Sequence, residues 1–151
     1  MEELRISDTS ETIQYIVVRL GEEQYGIEIK YIDNIVKMQK ITRVPKAPSF
    51  IKGVINLRGE VIPIMSLRLK MFLPEEEITK ATRIIILKLD QFGCVGIIVD
   101  EVKEVVTLDT EHIEKISYDA KDGQPSFLNG VGTYEGGLIS LLDLYQVLHI
   151  V

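Results

Sequence analysis

Two gap-free matches within the chain constrain its fold more than any other feature. Residues 26–36 (GIEIKYIDNIV) align on 96–106 (GIIVDEVKEVV), an offset of 70 from Gly26 to Gly96. Residues 50–67 align on 127–144, an offset of 77 from Phe50 to Phe127, with Phe, Gly, Val, Gly, Ile and Leu recurring at matching places. The extra length falls in the longer segment after Val106. A unit of about 70 residues exceeds the roughly 20–50 of a solenoid repeat. Each copy reads as about five short strands, enough for a small closed barrel. The competing reading is two unrelated β-hairpins that share a generic pattern.

The first copy centres on residues 50–70, FIKGVINLRGEVIPIMSLRLK. Two apolar strand-like runs, 54–57 and 61–65, flank Arg58-Gly59, and Gly59 can supply the positive φ of a tight hairpin turn. Ile55 and Leu57 point one way, Val54 and Asn56 the other. The second run is apolar on both sides, with Val61 and Met65 opposed to Ile62 and Ile64, which predicts a strand covered on both faces. Pro63 cannot donate to a ladder, so that strand is expected at an edge or a bulge. Arg58 is thereby held on a short turn between strands that bury apolar surface.

Elsewhere the period alternates between strand and helix. Residues 13–20 read as a strand, Gly21-Glu22-Glu23 as its turn, and 24–29 as a cleanly alternating partner. Ile32, Ile35 and Val36 stand at i, i+3, i+4, which predicts about one and a half helical turns, and Val102, Val105 and Val106 repeat this as a helical or bent segment. Residues 41–48 (ITRVPKAP) predict an extended surface crossing. Residues 67–72 predict a short helix, and Pro74 followed by Glu75, Glu76 and Glu77 suits a helix N-terminus on the surface. Residues 83–89 and 95–99 read as strands around a turn at 90–93. The stretch 107–126 is polar and irregular, with a short helical piece near His112 and a turn at Asp122-Gly123. A final helix is expected over 142–150. The expected division is a flexible tail over 1–12, a first barrel at about 13–80 and a second at about 81–150, with the first strand open to exchange between them.

Composition excludes several function classes. A net charge of −6 argues against nucleic acid, whose binding rests on Lys and Arg neutralising phosphates, and against an anionic membrane surface. No apolar run approaches the ~20 residues of a membrane span, and the acidic, polar N-terminus is unlike a signal peptide. The lone cysteine, Cys94, excludes an internal disulfide and suits a reducing compartment. A cytoplasmic protein is expected.

The chemistry-bearing residues assemble nothing catalytic. His112 and His149 have no histidine or cysteine partner at metal-ligand spacing, and no nucleophile elbow appears. Gly130, Gly132, Gly136 and Gly137 fail the dinucleotide pattern because Glu135 stands among them, and they read instead as hairpin-turn glycines. Asp119 and Asp122 fall short of a calcium loop. No catalytic residue, cofactor or metal site is expected. What remains is an apolar row, Val36, Met38, Ile41 and Val44, across a linker where polar residues are the rule. It reads either as the closure of a barrel end or as an adhesive seam for a partner, rimmed by Lys37, Lys40 and Arg43.

The strings Phe50-Ile51-Lys52-Gly53-Val54, Asn56-Leu57-Arg58-Gly59 and Val61-Ile62-Pro63-Ile64 resemble the signature of the CheW-like domain family of bacterial chemotaxis. Tyr25-Gly26-Ile27-Glu28-Ile29 upstream and Val95-Gly96-Ile97-Ile98-Val99-Asp100 downstream fit the same family, and the resemblance spans roughly residues 13–148. It implies a mostly β fold of two SH3-like five-stranded barrels related by the internal repeat, with short helices and a C-terminal helix. It also implies a non-catalytic adaptor that couples transmembrane chemoreceptors to the histidine kinase CheA in signalling arrays. One barrel would pack against the kinase's regulatory domain, and the groove between barrels would take the cytoplasmic, helical tip of a methyl-accepting receptor.

The binding residues carried over from the motif are Gly53, Asn56, Arg58 and Gly59, with Ile32 and Val36 on the preceding segment. Asn34 departs from the pattern: the family often has glutamate there, resembling an ion-pair partner for the turn arginine, whereas Asn34 offers a neutral amide. With Met38, Ile41 and Val44 these form the candidate protein-binding set. The alternative from another class is a small-ligand-binding or enzymatic β-barrel using a pocket between the repeats, which needs convergent polar groups there.

Overall fold

The computed structural model describes residues 11–115, 127–135 and 137–149. Among these residues, eleven strands form two sheets. In chain order they are β1 (Thr12–Leu20), β2 (Glu23–Glu28), β3 (Ile32–Lys37), β4 (Ile51–Leu57), β5 (Glu60–Ser66), β6 (Arg83–Leu89), β7 (Gly93–Val99), β8 (Glu101–Asp109), β9 (Ile113–Lys115), β10 (Leu128–Tyr134) and β11 (Gly137–Leu142). Two short helices follow β5 and β11: α1 (Leu67–Lys70) and α2 (Leu144–Leu148). One sheet has the order β3-β6-β7-β5-β4, the other β8-β1-β2-β11-β10-β9. These two sheets are the two SH3-like subdomains, and the protein is mostly β.

The repeat is written into the ladder. Matching β3 to β8, β6 to β1, β7 to β2, β5 to β11 and β4 to β10 turns one strand order into the other. In β4 the register shifts between Ile51 and Gly53; in β10 it shifts between Leu128 and Gly130. Ile64 sits beside Gly96 in one parallel pairing and Leu141 beside Gly26 in the other. The N–H of Ser66 donates to the carbonyl of Phe50 at 2.7 Å, and that of Asp143 to Phe127 at 2.8 Å. Ser66 and Asp143 then cap α1 and α2 by accepting from the N–H groups of Leu69 and Gln146.

The sheets do not divide near residue 80. The five-stranded sheet is continuous from β3 to β7, while hairpin β1–β2 lies in the sheet of β8–β11. Connection length explains this. Within one sheet, a strand following β2 on the far side of β1 runs parallel to β2, and such a crossover takes a dozen or more residues. Only Ile29–Tyr31, a 3-10 turn, separates β2 from β3, and only Asp100 separates β7 from β8. The chain therefore passes straight on into the other sheet at both places.

Three apolar clusters follow. Ile55, Ile62, Ile64, Ile84, Ile86 and Ile98 fill the five-stranded subdomain. Tyr15, Val17, Val106, Leu108, Ile139 and Leu141 fill the other. The largest lies between them and takes Val18, Leu20 and Ile27 from one sheet, Met65, Leu87 and Val99 from the other, and Leu67, Leu144 and Val147 from the helices. The pocket between repeats that a small-ligand or enzymatic barrel needs is thus occupied by buried aliphatic side chains.

The structure corrects several expectations. Residues 32–37 and 101–109 are strands, not helical turns. Each carries an irregularity, with Asp33 skipped opposite β6 and Lys103 skipped opposite β1. Residues 74–78 form no helix. Glu76 turns inward instead, its Oε1 accepting from the Ser66 hydroxyl at 2.5 Å. Val61 is 63% exposed, so only the Met65 end of β5 is covered on both faces. β5 is an interior strand, and Pro63 lies opposite Val54 just before pairing with β7 begins at Ile64. Gly130 and Gly132 lie within β10 rather than in a turn. The expected turn at Asp122-Gly123 lies outside the described residues.

Candidate functional site

Arg58-Gly59 forms the two-residue turn of hairpin β4–β5, with φ of +56° and +83°. Two consecutive positive φ values suit the right-handed twist of the strands. Glycine adopts this freely, whereas arginine is strained there by about 1–2 kcal/mol. The Asn56 side-chain oxygen accepts from the N–H of Gly59 at 3.1 Å and locks the turn. Arg58 is exposed and, among the described residues, makes no hydrogen bond or ion pair. In the second subdomain the equivalent turn carries Glu135, also left-handed at +47°.

Gly53 is buried beneath a crossing chain. Thr42 exchanges backbone hydrogen bonds with Val54 at 2.9 and 2.8 Å. A Cβ on Gly53, whose φ is +143°, would run into the Thr42 carbonyl. At Gly130 the same place is crossed by β9, with the Glu114 carbonyl 3.2 Å from an added Cβ.

The apolar row divides. Val36, Met38 and Ile41 are half-buried and pack with Leu57 and Cys94 on the interior of the five-stranded subdomain. Val44 is 44% exposed. Ile32 faces the cluster between subdomains. Asn34 is half-buried on β3, and its side-chain oxygen accepts from the N–H of Ile35 at 2.8 Å. No hydrogen bond joins it to Arg58 among the described residues. The structure therefore brings Val36, Met38, Ile41, Gly53, Asn56, Arg58 and Gly59 onto one end of one subdomain, and sets Ile32 on its inner side.

That end carries several exposed cations, with Glu60 and Asp33 as the exposed acids nearby. Lys37, Lys40, Arg43 and Lys46 are exposed, with no acidic residue between 37 and 46, in a protein whose net charge is −6. The segment bridges to β4 through Thr42, so its cations run beside the strand that ends in Arg58. The arrangement suits an acidic partner surface.

Sequence reading missed three features. Phe72, which sequence placed at the end of a helix, is 77% exposed with φ +65°. Its ring lies 6.3 Å from that of Phe127. Glu76 is buried within what looked like a surface acidic run. Asp100 accepts from Arg68 Nε at 3.0 Å and Nη2 at 2.5 Å, and from the N–H of Gly21 at 2.8 Å. Burial pushes the Asp100 carboxyl upward, but the Arg68 and Gly21 hydrogen bonds and the charges of Arg68 and Arg19 outweigh it and hold it below its ordinary value. The one available signal was the repeat itself, which sets Arg68 opposite Tyr145.

Among the described residues, no group of His, Cys, Asp and Glu is placed to hold a metal ion, and no helix is long and apolar enough to cross a membrane.

Comparison with known proteins gives a consistent result. The family model described as the CheW-like domain matches residues 14–151. The chain is 38% identical over 133 residues to a chemotaxis protein CheW of Bacillus subtilis, covering 88% of this chain and 85% of that one. It is 34% identical over 135 residues to a chemotaxis protein CheW of Klebsiella aerogenes, covering 89% and 81%. The crystal structure of the scaffolding protein TtCheW from Thermoanaerobacter tengcongensis superposes with a TM-score of 0.82 at 30% identity, covering 93% of this chain and 94% of that one.

Proposed function

The chain belongs to the CheW-like domain family and is a non-catalytic chemotaxis coupling adaptor, and on that premise we propose that it joins the histidine kinase CheA, through its regulatory domain, to the cytoplasmic tip of methyl-accepting chemoreceptors. The protein then resides in the cytoplasm at membrane-associated receptor arrays. The observation that carries this reading is Arg58. A strained, solvent-facing cation with no partner among the described residues stands beside a row of four more, on a hairpin anchored by a buried core. An arginine so placed is free to make charge-assisted bonds to carboxylates of another protein.

Asn56 and Gly59 hold the turn, Gly53 admits the crossing segment, and exposed Val44, with the uncovered parts of half-buried Val36, Met38 and Ile41, supplies the apolar part of the surface. Ile32 and Asn34, on β3, are assigned to the receptor's helical tip, laid in a groove between subdomains. Titration calorimetry with the purified kinase regulatory domain and with a receptor-tip helical hairpin tests the proposal. Saturable binding to each is expected. Absence of binding to both overturns it.

A further inference from the structure

The chain crosses between subdomains twice, at places the repeat makes equivalent and the side chains make chemically different. At the first, Asp100 is the single residue between β7 and β8. Its carboxylate is gripped by the fork of Arg68, on α1 of the five-stranded subdomain, and by the Gly21 N–H, at the turn of hairpin β1–β2 in the six-stranded one. Arg19 reinforces the junction, donating to Glu101 at 2.9 Å and to the Gly21 carbonyl at 2.8 Å. At the second crossing, Tyr31 precedes β3. Tyr145, on α2, lies with its ring 6.1 Å from that of Tyr31 and 6.1 Å from that of Phe92, in the turn between β6 and β7. One junction is centred on an ion pair and the other on aromatic rings, with Lys30 over that of Tyr31.

We propose that Arg68 and Asp100 are a positioning pair that fixes the orientation of the two subdomains, which rotate about the Tyr31–Tyr145–Phe92 contact when the pair is released. The shared apolar core holds the subdomains together by close packing, which limits any change of orientation to a small rotation. A two-pronged arginine–carboxylate bond is directional. The pair is also releasable. It borders a solvent-open cleft of 330 Å³ lined by Glu75, Glu77, Thr79 and Pro74 as well as Arg19. Arg68 already donates a further bond to the Pro74 carbonyl at 3.2 Å, and Glu76 and Glu77 act on its charge. Arg68 thus has alternative acceptors within the same cleft. The aromatic junction has no buried carboxylate at its centre; its charged group is Lys30, over the Tyr31 ring at 5.1 Å and paired with Glu28 on the exposed side.

The test is a distance measurement between subdomains. In a Cys94→Ser background, spin labels are placed at Lys37→Cys on β3 and Thr133→Cys on β10, both exposed, and read by pulsed dipolar spectroscopy. The parent protein is expected to give one narrow peak. Asp100→Asn, which retains an acceptor for Gly21, and Arg68→Met, which retains the aliphatic stem, are each expected to broaden or displace it. Amide-exchange protection within each sheet stays in place. Unchanged peaks in both variants, with only the melting temperature lowered, overturn the proposal and leave a pair that merely stabilises. If either variant fails to fold, Arg68→Lys decides: it keeps the charge but loses the fork, so a narrow peak at the parent distance overturns the proposal and a broadened one supports it.

Discussion

Arg68 and Tyr145 occupy the same place in the two halves of the repeat, 77 residues apart, from 68 to 145, yet one grips a carboxylate and the other packs on aromatic rings. The repeat preserved the backbone, down to the register shifts at Gly53 and Gly130, while the two junctions became unlike. One junction is therefore centred on a carboxylate held by an arginine and the other on aromatic rings.

The Asp100 junction fixes an acid limb of stability. The folded carboxyl lies below its ordinary value of about 3.8. Stability from the pair is therefore fully present above that value and is lost as pH falls through the lowered one. Glu101 is likewise held below its ordinary value, by the Arg19 hydrogen bond. At neutral pH Asp100→Asn should cost about 1.5–3 kcal/mol, the scale of a charge-assisted bond. Denaturant melts should show this difference between parent and variant shrinking as pH drops below about 4. A difference independent of pH excludes the carboxylate as its source.

The two crossed glycines should differ in tolerance. Gly53→Ala meets a backbone carbonyl and requires a left-handed φ, and should cost more than about 2 kcal/mol. Gly130 has no positive φ, and its neighbours are the Ile113 methyl at 3.0 Å and the Glu114 carbonyl at 3.2 Å. Gly130→Ala should cost about 1 kcal/mol. Chemical denaturation of the two single variants ranks them. Equal costs refute the difference.

Adjacent acidic residues should separate just as clearly. Glu75 pairs with Lys52 at the surface, half exposed, so Glu75→Ala should shift stability by less than about 1 kcal/mol. Glu76 has a side chain only 2% exposed, bonded to buried Ser66. Glu76→Ala should cost about 1–3 kcal/mol, because it empties space and strips the Ser66 hydroxyl of its acceptor. Thermal melts that rank the two the other way refute this.

How much of this was legible in sequence depended on whether one core or two acted on a strand. Hairpin β4–β5 was readable because the Arg58-Gly59 turn and the alternation of Val54 to Leu57 answer to local geometry alone. β3 was not. Ile32 and Ile35 face the cluster between subdomains while Val36 faces the interior of its own. The skipped residue Asp33 resets the alternation between them. A strand serving two cores across an irregularity imitates helical spacing, and β8 does the same through Lys103. The proximity of the candidate hairpin to the segment crossing it was legible, since the two are nearly contiguous in sequence. Its internal division was hidden, because burial of Val36, Met38 and Ile41 depends on β6 and β7, far along the chain. The Arg68–Asp100 contact spans 32 residues and has no periodic signature at all.

The Arg58 turn offers the sharpest separation of fold from function, because one substitution should move them in opposite directions. Arginine is costly at a φ of +56°, whereas Asn-Gly is the favoured pair for a turn with both central residues left-handed. Arg58→Asn should therefore stabilise the free protein by about 0.5–1 kcal/mol. The same change removes the exposed guanidinium and should weaken binding of the kinase domain or the receptor tip by at least about 1 kcal/mol, a modest hot spot. Arg58→Lys should recover only part of the loss, since it keeps the charge but not the planar fork. Arg58→Glu should lose more, because it places an acid where an acidic partner surface is expected. Melting curves and binding isotherms on the same preparations decide it. A higher melting temperature with affinity unchanged for both partners would make Arg58 a solvated turn residue, and the strain it bears would then be without a binding role.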